Sequence, residues 1–509
     1  MHLFQWLLIL LVGAVALTAC ARFLKLPYPS LLALGGAALA LVPNTPEFQL
    51  DPQLMLALFV APVLLDAAFD TSLRDLKRFW IPVMCLVVIA VGVTTLAVAW
   101  LAHRMVPDMP WAAAIALGAI VAPPDAAAAS AILRQLRIPQ RMVVILEGES
   151  LLNDATALLI YRLAVSAAMG TTFTSASIAP VGFAVLASVA VGFALAQLTI
   201  RLVEHVSDVP SAIVLQFAFT FGLWILADAT GLSAIVTVVV YAITASRIAP
   251  GRTLARVRLP SYAVWETAVF VLNVLAFVLI GLQMRPILHS LGAAELERYV
   301  QIAAAVLGVV VLVRTGWVFL YNRAAVLKAR FFGTGSWPGL YPPTLAGSTI
   351  ISWCGMRGIV TLATAYALPA GFPYRNLILL CAFCVVVGTL VLQGLTLRPL
   401  ILLLGLRDDG SVDGEVRAAR AALTRLALDV IDSAGSPEAN SLRAEFAAKL
   451  PSDGGGASPA EHDARRQLRA RILAAQRDAL ARMRDTGEIG DDAFHRIEER
   501  LDRIEVNVR

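Results

Sequence analysis

Blocks of about twenty apolar residues recur from the N-terminus to about residue 405, and they decide what this chain can fold into. A bilayer core is about 30 Å thick, and a helix rising 1.5 Å per residue crosses it in about 20 residues. Inside hydrocarbon every backbone N–H and C=O must be satisfied within its own segment, so blocks of this kind form helices. They fall at roughly 3–21, 29–43, 53–69, 80–102, 111–133, 140–162, 177–200, 211–228, 231–247, 261–283, 299–320, 343–368 and 375–405. The expected fold is an all-α polytopic membrane protein of about thirteen transmembrane helices. Composition agrees: the 509 residues are 59% hydrophobic and only 15% charged, where soluble domains carry roughly 25% charged residues.

Lysine and arginine are unevenly placed. Alternate connections, starting with 22–28, hold sixteen of them, including Arg22, Lys25, Arg74, Lys77, Arg141, Arg252 and Lys328. The other connections hold four: Arg104, Arg285, Arg298 and Arg375. The richer set is expected on the cytoplasmic side, which puts the N-terminus outside and the C-terminus inside. The stretch LTAC (17–20) imitates a lipoprotein cleavage site, but residues 1–10 contain no Lys or Arg. A retained first transmembrane helix is therefore expected.

The character of the chain changes after residue 406. Three regions are expected: a transmembrane domain over 1–406, a cytoplasmic linker region over 407–463, and a helical cytoplasmic tail over 464–509. The run LPSDGGGASPAEHD at 450–463 is linker-like. Cys381 and Cys384 form a CxxC inside an apolar block with no second ligand pair, so they read as packing residues. No cofactor or nucleic-acid partner is expected.

Against this apolar background, residues 121–162 carry Asp125, Glu147, Glu149 and Asp154. An ionisable group at membrane depth costs several kcal/mol and marks a functional site by default. Asp154 and Ser150 are four positions apart and share one face of a helix, with Asn153 at its edge. Glu149 lies about 140° away from Asp154 and needs a cation of its own. Arg357 is the expected partner, giving a buried structural pair. Glu147 is read as a surface charge, or else as lining an access funnel. Asp125 follows Pro123 and Pro124, which cannot bond as helix residues do and so free carbonyls beside the carboxylate. That hard-oxygen setting suits Na⁺, K⁺ or H⁺ rather than a soft metal. Asp66, in APVLLDAAFD, is a further acid at the membrane edge.

Two apolar blocks are interrupted by helix breakers beside a charge: APPD at 122–125 and SWCGMRG at 352–358. If spans 1–6 and 8–13 are inverted repeats, the breaks are the fifth member of each. Paired broken helices of this kind point to a secondary-transporter site.

At these residues the chain resembles the NhaP/NHE branch of the monovalent cation/proton antiporters. GESLLNDATALLIYR (148–162) is similar to the signature segment, and SWCGMRGIVTLATAYALP (352–369) to the second broken helix. YAVWETAVFVLNVLAFVLIGLQM (262–284) and VLQGLTLRPL (391–400) also fit. The resemblance implies a homodimer in the bacterial inner membrane, with spans 4–6 and 11–13 as the moving core. It implies that Asp154 carries cation or proton, that Asn153-Asp154 marks electroneutral exchange, and that Arg357 braces Glu149. Asp66 falls at an acidic position near the site. The expected cation and proton ligands are thus Asp154, Asp125, Asn153, Ser150 and Asp66, and Na⁺, Li⁺ or K⁺ the transported ions. One departure bears on selectivity: the family's Thr-Asp-Pro is Pro124-Asp125-Ala126 here. A cation channel and an intramembrane aspartyl protease are the rival classes. No TVGYG-like filter and no Gly-x-Gly-Asp motif is present in the sequence.

Overall fold

A computed structural model of the chain describes residues 2–43, 51–136, 138–170, 178–206, 208–252, 255–289, 292–332 and 344–406, together with Leu428. The expected linker and tail helix lie outside these residues, Leu428 apart.

All regular structure among the described residues is helical. Apart from two short helices, Leu73–Arg78 and Met284–His289, the helices are α1 (His2–Leu24), α2 (Tyr28–Ala40), α3 (Pro52–Asp70), α4 (Trp80–Met105), α5 (Trp111–Val121) and α6 (Ala126–Leu136). Next come α7 (Gln140–Ala168), α8 (Ile178–Val203), α9 (Val209–Ala229), α10 (Ala234–Arg252) and α11 (Ala255–Leu282). The last are α12 (Ala293–Phe332), α13 (Leu345–Trp353), α14 (Ile359–Tyr366) and α15 (Arg375–Leu403). Several starts are capped by the preceding residue. Asp51, Asp208 and Thr344 accept the amides of Gln53, Ser211 and Gly347 at 2.7, 3.0 and 3.0 Å.

Among the described residues, seven helices are long and apolar enough to cross a bilayer. α7 spans 29 residues, but its acids break the apolar run. Large apolar side chains such as Phe183, Val214 and Leu312 stand exposed on outer faces, as lipid-facing groups do. Several hydroxyls inside the bundle, including those of Thr199, Thr220 and Thr237, donate to the carbonyl four residues back.

Burial separates the centre from the rim. In its most apolar window α15 is 72% buried, against 22% for α9, so α15 is the axis of the bundle. α2 packs along α11, α4 and α7 against α5, and α12 against α15. The α2–α11 crossing depends on Gly36 and Gly281, since a Cβ on either would strike the partner's backbone at Val278 or Ala33. α3 and α4 each include a π-helical turn, Leu56–Val60 and Cys85–Ala90.

One element differs from expectation. α12 runs for 40 residues, about 60 Å at the helical rise. Arg323, Lys328 and Arg330, expected in a connection, therefore sit on a continuation of the helix. The last block forms one unbroken helix despite Pro399.

Candidate functional site

The two interruptions seen in the sequence are real breaks, and they meet. α5 and α6 are separated by an unwound stretch at 122–125, and α13 and α14 by one at 354–358. The Asp125 amide donates to the Met356 carbonyl at 2.6 Å, joining one break to the other.

Each break leaves half-helix ends inside the protein. A helix end carries about half a charge, positive at the N-terminus and negative at the C-terminus. The last carbonyls of α5 are met by Arg357, whose Nε donates to Val121 O at 3.0 Å and Nη2 to Ala122 O at 3.1 Å. Its Nη1 donates to Gly355 O, and its backbone amide to the Thr389 hydroxyl at 3.0 Å. Arg357 is only 1% exposed. At the opposite polarity, the Asp125 carboxylate lies against Gly358, which caps the N-terminus of α14. A Cβ at Gly358 would occupy the space of that carboxylate, so glycine is what admits the anion.

Glu149 does not pair with Arg357. Its carboxylate is gripped by Arg314 of α12, Nη1 to Oε1 at 2.5 Å and Nη2 to Oε2 at 2.8 Å. The same guanidinium donates to Ile351 O and Ser352 O, the last carbonyls of α13, at 3.0 and 3.3 Å. Both residues are buried. The expected pair fails for a physical reason. Arg357 has its donors committed to the carbonyls of both breaks, whereas Arg314 offers a two-pronged fork to a two-oxygen acceptor. Arg314 escaped the sequence reading, although a lone arginine within VVVLVRTGW is a signal by its depth alone.

Asp154 is 8% exposed, and it opens on a cavity of about 270 Å³. Asp125, Ser150 and Asp66 line the same cavity. The helical-face argument thus brings Ser150 and Asp154 together and turns Glu149 away. Asn153 stands behind the wall, fully buried, with its Nδ2 donating to Pro124 O at 2.8 Å. Its Oδ1 has no hydrogen-bond partner among the described residues. Glu147, read from sequence as a surface charge or else as lining an access funnel, lines the cavity. Seven residues place it on the Asp154 face, two turns along.

The cavity lies between two groups of helices. α7, α14 and the first break supply Glu147, Ser150, Asp154, Ile359 and Asp125. α2, α3 and α11 supply the facing wall, with Asp66, Glu266 and Asn273. Glu266 and Asn273 belong to the segment 262–284, where neither carries a motif that marks it in the sequence. No group of three or more His, Cys, Asp or Glu among the described residues could hold a metal ion as a cluster. What the site offers is a few carboxylate, hydroxyl and carbonyl oxygens.

A family model described as "Sodium/hydrogen exchanger, transmembrane" matches residues 7–403. The chain belongs to the sodium/hydrogen exchanger family. Among relatives of this exchanger, the Escherichia coli (strain K12) "Uncharacterized Na(+)/H(+) exchanger YjcE" is 30% identical over 94% of each chain. The "Sodium, potassium, lithium and rubidium/H(+) antiporter" of Bacillus subtilis (strain 168) is 27% identical, over 99% of this chain and 78% of its own. The fold is that of the sodium proton antiporter MjNhaP1 from Methanocaldococcus jannaschii. That match has a TM-score of 0.60 at 20% identity, covering 79% of this chain and 97% of the other. As a sodium/hydrogen exchanger the chain is a multi-pass membrane transporter and not an enzyme.

Proposed function

We propose that this exchanger moves one Na⁺ against one H⁺ across the bacterial inner membrane, with Asp154 binding cation or proton in competition. The observation that carries the reading is the division of buried charge. Glu149 is neutralised by Arg314, and Asp125 and Arg357 sit at half-helix ends of opposite sign. Asp154 is left as the buried charge that a passing ion can change. One carboxylate that holds either one proton or one monovalent cation gives one-for-one, electroneutral exchange. Asp125, Ser150 and Asp66 add oxygens around the same cavity. Asn153 holds the broken helix to α7 through its bond to Pro124 O.

In this reading residues 1–406 form the exchanger domain, built from about thirteen spans in two inverted halves. α4–α7 and α12–α15 move as a core against the remaining helices, which supply the facing wall and a homodimer contact. The N-terminus lies outside and the C-terminus in the cytoplasm, a reading supported by the placement of Lys and Arg. The linker and tail are a cytoplasmic appendage to this unit.

A second selectivity has specific support. Pro124 has no side-chain hydroxyl to give a cation, and the Bacillus subtilis relative is named for sodium, potassium, lithium and rubidium. K⁺ and Li⁺ are therefore proposed as alternative cargo. The test is dequenching of a pH-sensitive dye in everted vesicles on addition of Na⁺, Li⁺ and K⁺. Proton movement with at least one of them, absent in Asp154→Asn, is the expected result. Silence toward every cation, or full activity in the variant, refutes the proposal. A shift in the exchange equilibrium on collapsing the membrane potential refutes electroneutrality.

A further inference from the structure

A small pocket of about 30 Å³ lies where α4, α7, α12 and α13 meet. That is room for one species about the size of a water molecule. Arg141, in the first turn of α7, lines it together with Cys85 of α4, Trp317 and Tyr321 of α12, and Ser348 of α13. No carboxylic acid lines it, and it shares no lining residue with the cavity of Asp154. Cys85 begins the π-helical turn of α4, and such turns are frequent at functional sites.

The polar groups around this pocket hold unused donors. Arg141 forms no ion pair with a described residue, and Tyr321 is the titratable side chain beside it. The Trp317 Nε1–H is buried with no hydrogen-bond acceptor among the described residues. Ser348 Oγ accepts the Asn322 amide at 2.7 Å, which leaves its own proton to give. None of these groups has a place in the exchange proposed above. A buried N–H without an acceptor is destabilising, and so is a half-buried guanidinium without a counter-charge. One anion answers both needs, whereas a water molecule would leave the positive charge uncompensated. The volume is too small for a tetrahedral oxyanion with its four oxygens, and suits a single-atom anion.

We propose that this pocket is a halide site. One chloride ion accepts from the Arg141 guanidinium and the Trp317 indole N–H, with the Tyr321 and Ser348 hydroxyls beside them. The ion ties α4, α7, α12 and α13 together at a point apart from the Asp154 cavity. Chloride here is a structural ligand and not cargo, so the site stands or falls independently of the antiport reading.

The test uses the purified full-length protein in detergent, with Na⁺ and ionic strength held constant while chloride replaces gluconate. Wild type is expected to gain about 2 °C or more in thermal midpoint as chloride saturates, and bromide should act likewise. Chlorine NMR is expected to show excess line broadening that bromide displaces. Arg141→Gln removes the charge and Trp317→Phe the indole donor. Each should raise the half-saturating chloride concentration about tenfold or more, since hydrogen bonds to a charged partner are the stronger kind. Tyr321→Phe, which removes only a hydroxyl, should raise it about threefold. The proposal is overturned if chloride and gluconate give the same midpoint, or if bromide displaces no broadening. It is also overturned if the variants, eluting as folded protein, keep the wild-type chloride response. Should Arg141→Gln fail to fold, the wild-type titrations and the milder Tyr321→Phe decide.

Discussion

The two broken helices are interrupted by opposite means, and each break is completed by the other. Prolines open the first. They remove N–H donors at 123 and 124 and leave carbonyls facing inward. Glycines open the second, at 355 and 358, and leave room for side chains to approach the backbone. The proline break carries an anion, Asp125, and the glycine break a cation, Arg357. The cation serves the carbonyls of the proline break, and the anion serves the helix N-terminus of the glycine break. A residue supplied by one half thus stabilises the unwound end of the other. The crossing can stay unwound only while both are present.

The largest effect is expected where a buried charge loses its partner. Arg314→Ala strands Glu149 and uncaps α13 together. Removing one member of a buried pair costs about 3–5 kcal/mol, so the thermal midpoint in detergent should fall sharply or folded protein be lost. Glu149→Gln in the same chain should restore part of the loss, because it withdraws the stranded charge. A single variant as stable as wild type would show that the pair does not brace the second break.

Next comes the close approach at Gly358. Gly358→Ala puts a methyl group where the Asp125 carboxylate lies. Either the carboxylate moves off the α14 N-terminus or the two breaks separate. Overpacking of this kind costs about 1–3 kcal/mol, and exchange should fall further than stability because Asp125 also lines the ion cavity. Gly371→Ala, where no atom lies within 4 Å of an added Cβ, is the matched control and should behave as wild type. Equal behaviour of the two variants would remove Asp125 from the α14 end.

How much of this arrangement could be read in advance differs along the chain. The helices follow from apolar blocks because hydrocarbon leaves the backbone no other way to bond. Both breaks were visible, since proline pairs and clustered glycines are rare in such blocks. Ser150 and Asp154 shared a cavity for the reason that four-residue spacing gives. Pairing was not legible. Arg314 and Arg357 are both buried arginines, and nothing in their sequence separation from Glu149 ranks them. The choice is made by the carbonyls of Val121 and Ala122, which claim Arg357 first. Glu147 was left between a surface and a funnel position because spacing fixes a face but not how far along the helix a cavity extends.

A smaller effect should come from the contact that ties the proline break to α7. Asn153→Ala removes the donor to Pro124 O and leaves that buried carbonyl unsatisfied, at about 1–3 kcal/mol. Stability should drop modestly. Exchange should become slower without loss of cation selectivity, since the Asp154 carboxylate is kept. Cation-titrated dye assays on wild type and variant separate the two quantities. A reversed order of Na⁺, Li⁺ and K⁺ would mean that Asn153 touches the ion itself.

The smallest change tests the glycine break alone. The Thr389 hydroxyl accepts the backbone N–H of Arg357 at 3.0 Å, and itself donates to Val385 O at 2.7 Å within α15. Thr389→Val keeps the shape and removes only this relay. The Arg357 amide then has no acceptor in a site that is closed to water, for about 1 kcal/mol or somewhat more. The guanidinium contacts to Val121 and Ala122 do not involve the hydroxyl, so the proline break should stay capped. The expected result is a small fall in thermal midpoint with exchange close to wild type. If exchange instead fell as far as in Gly358→Ala, the two breaks would not be separately supported. The amide of Arg357 would then matter as much to the crossing as its guanidinium does.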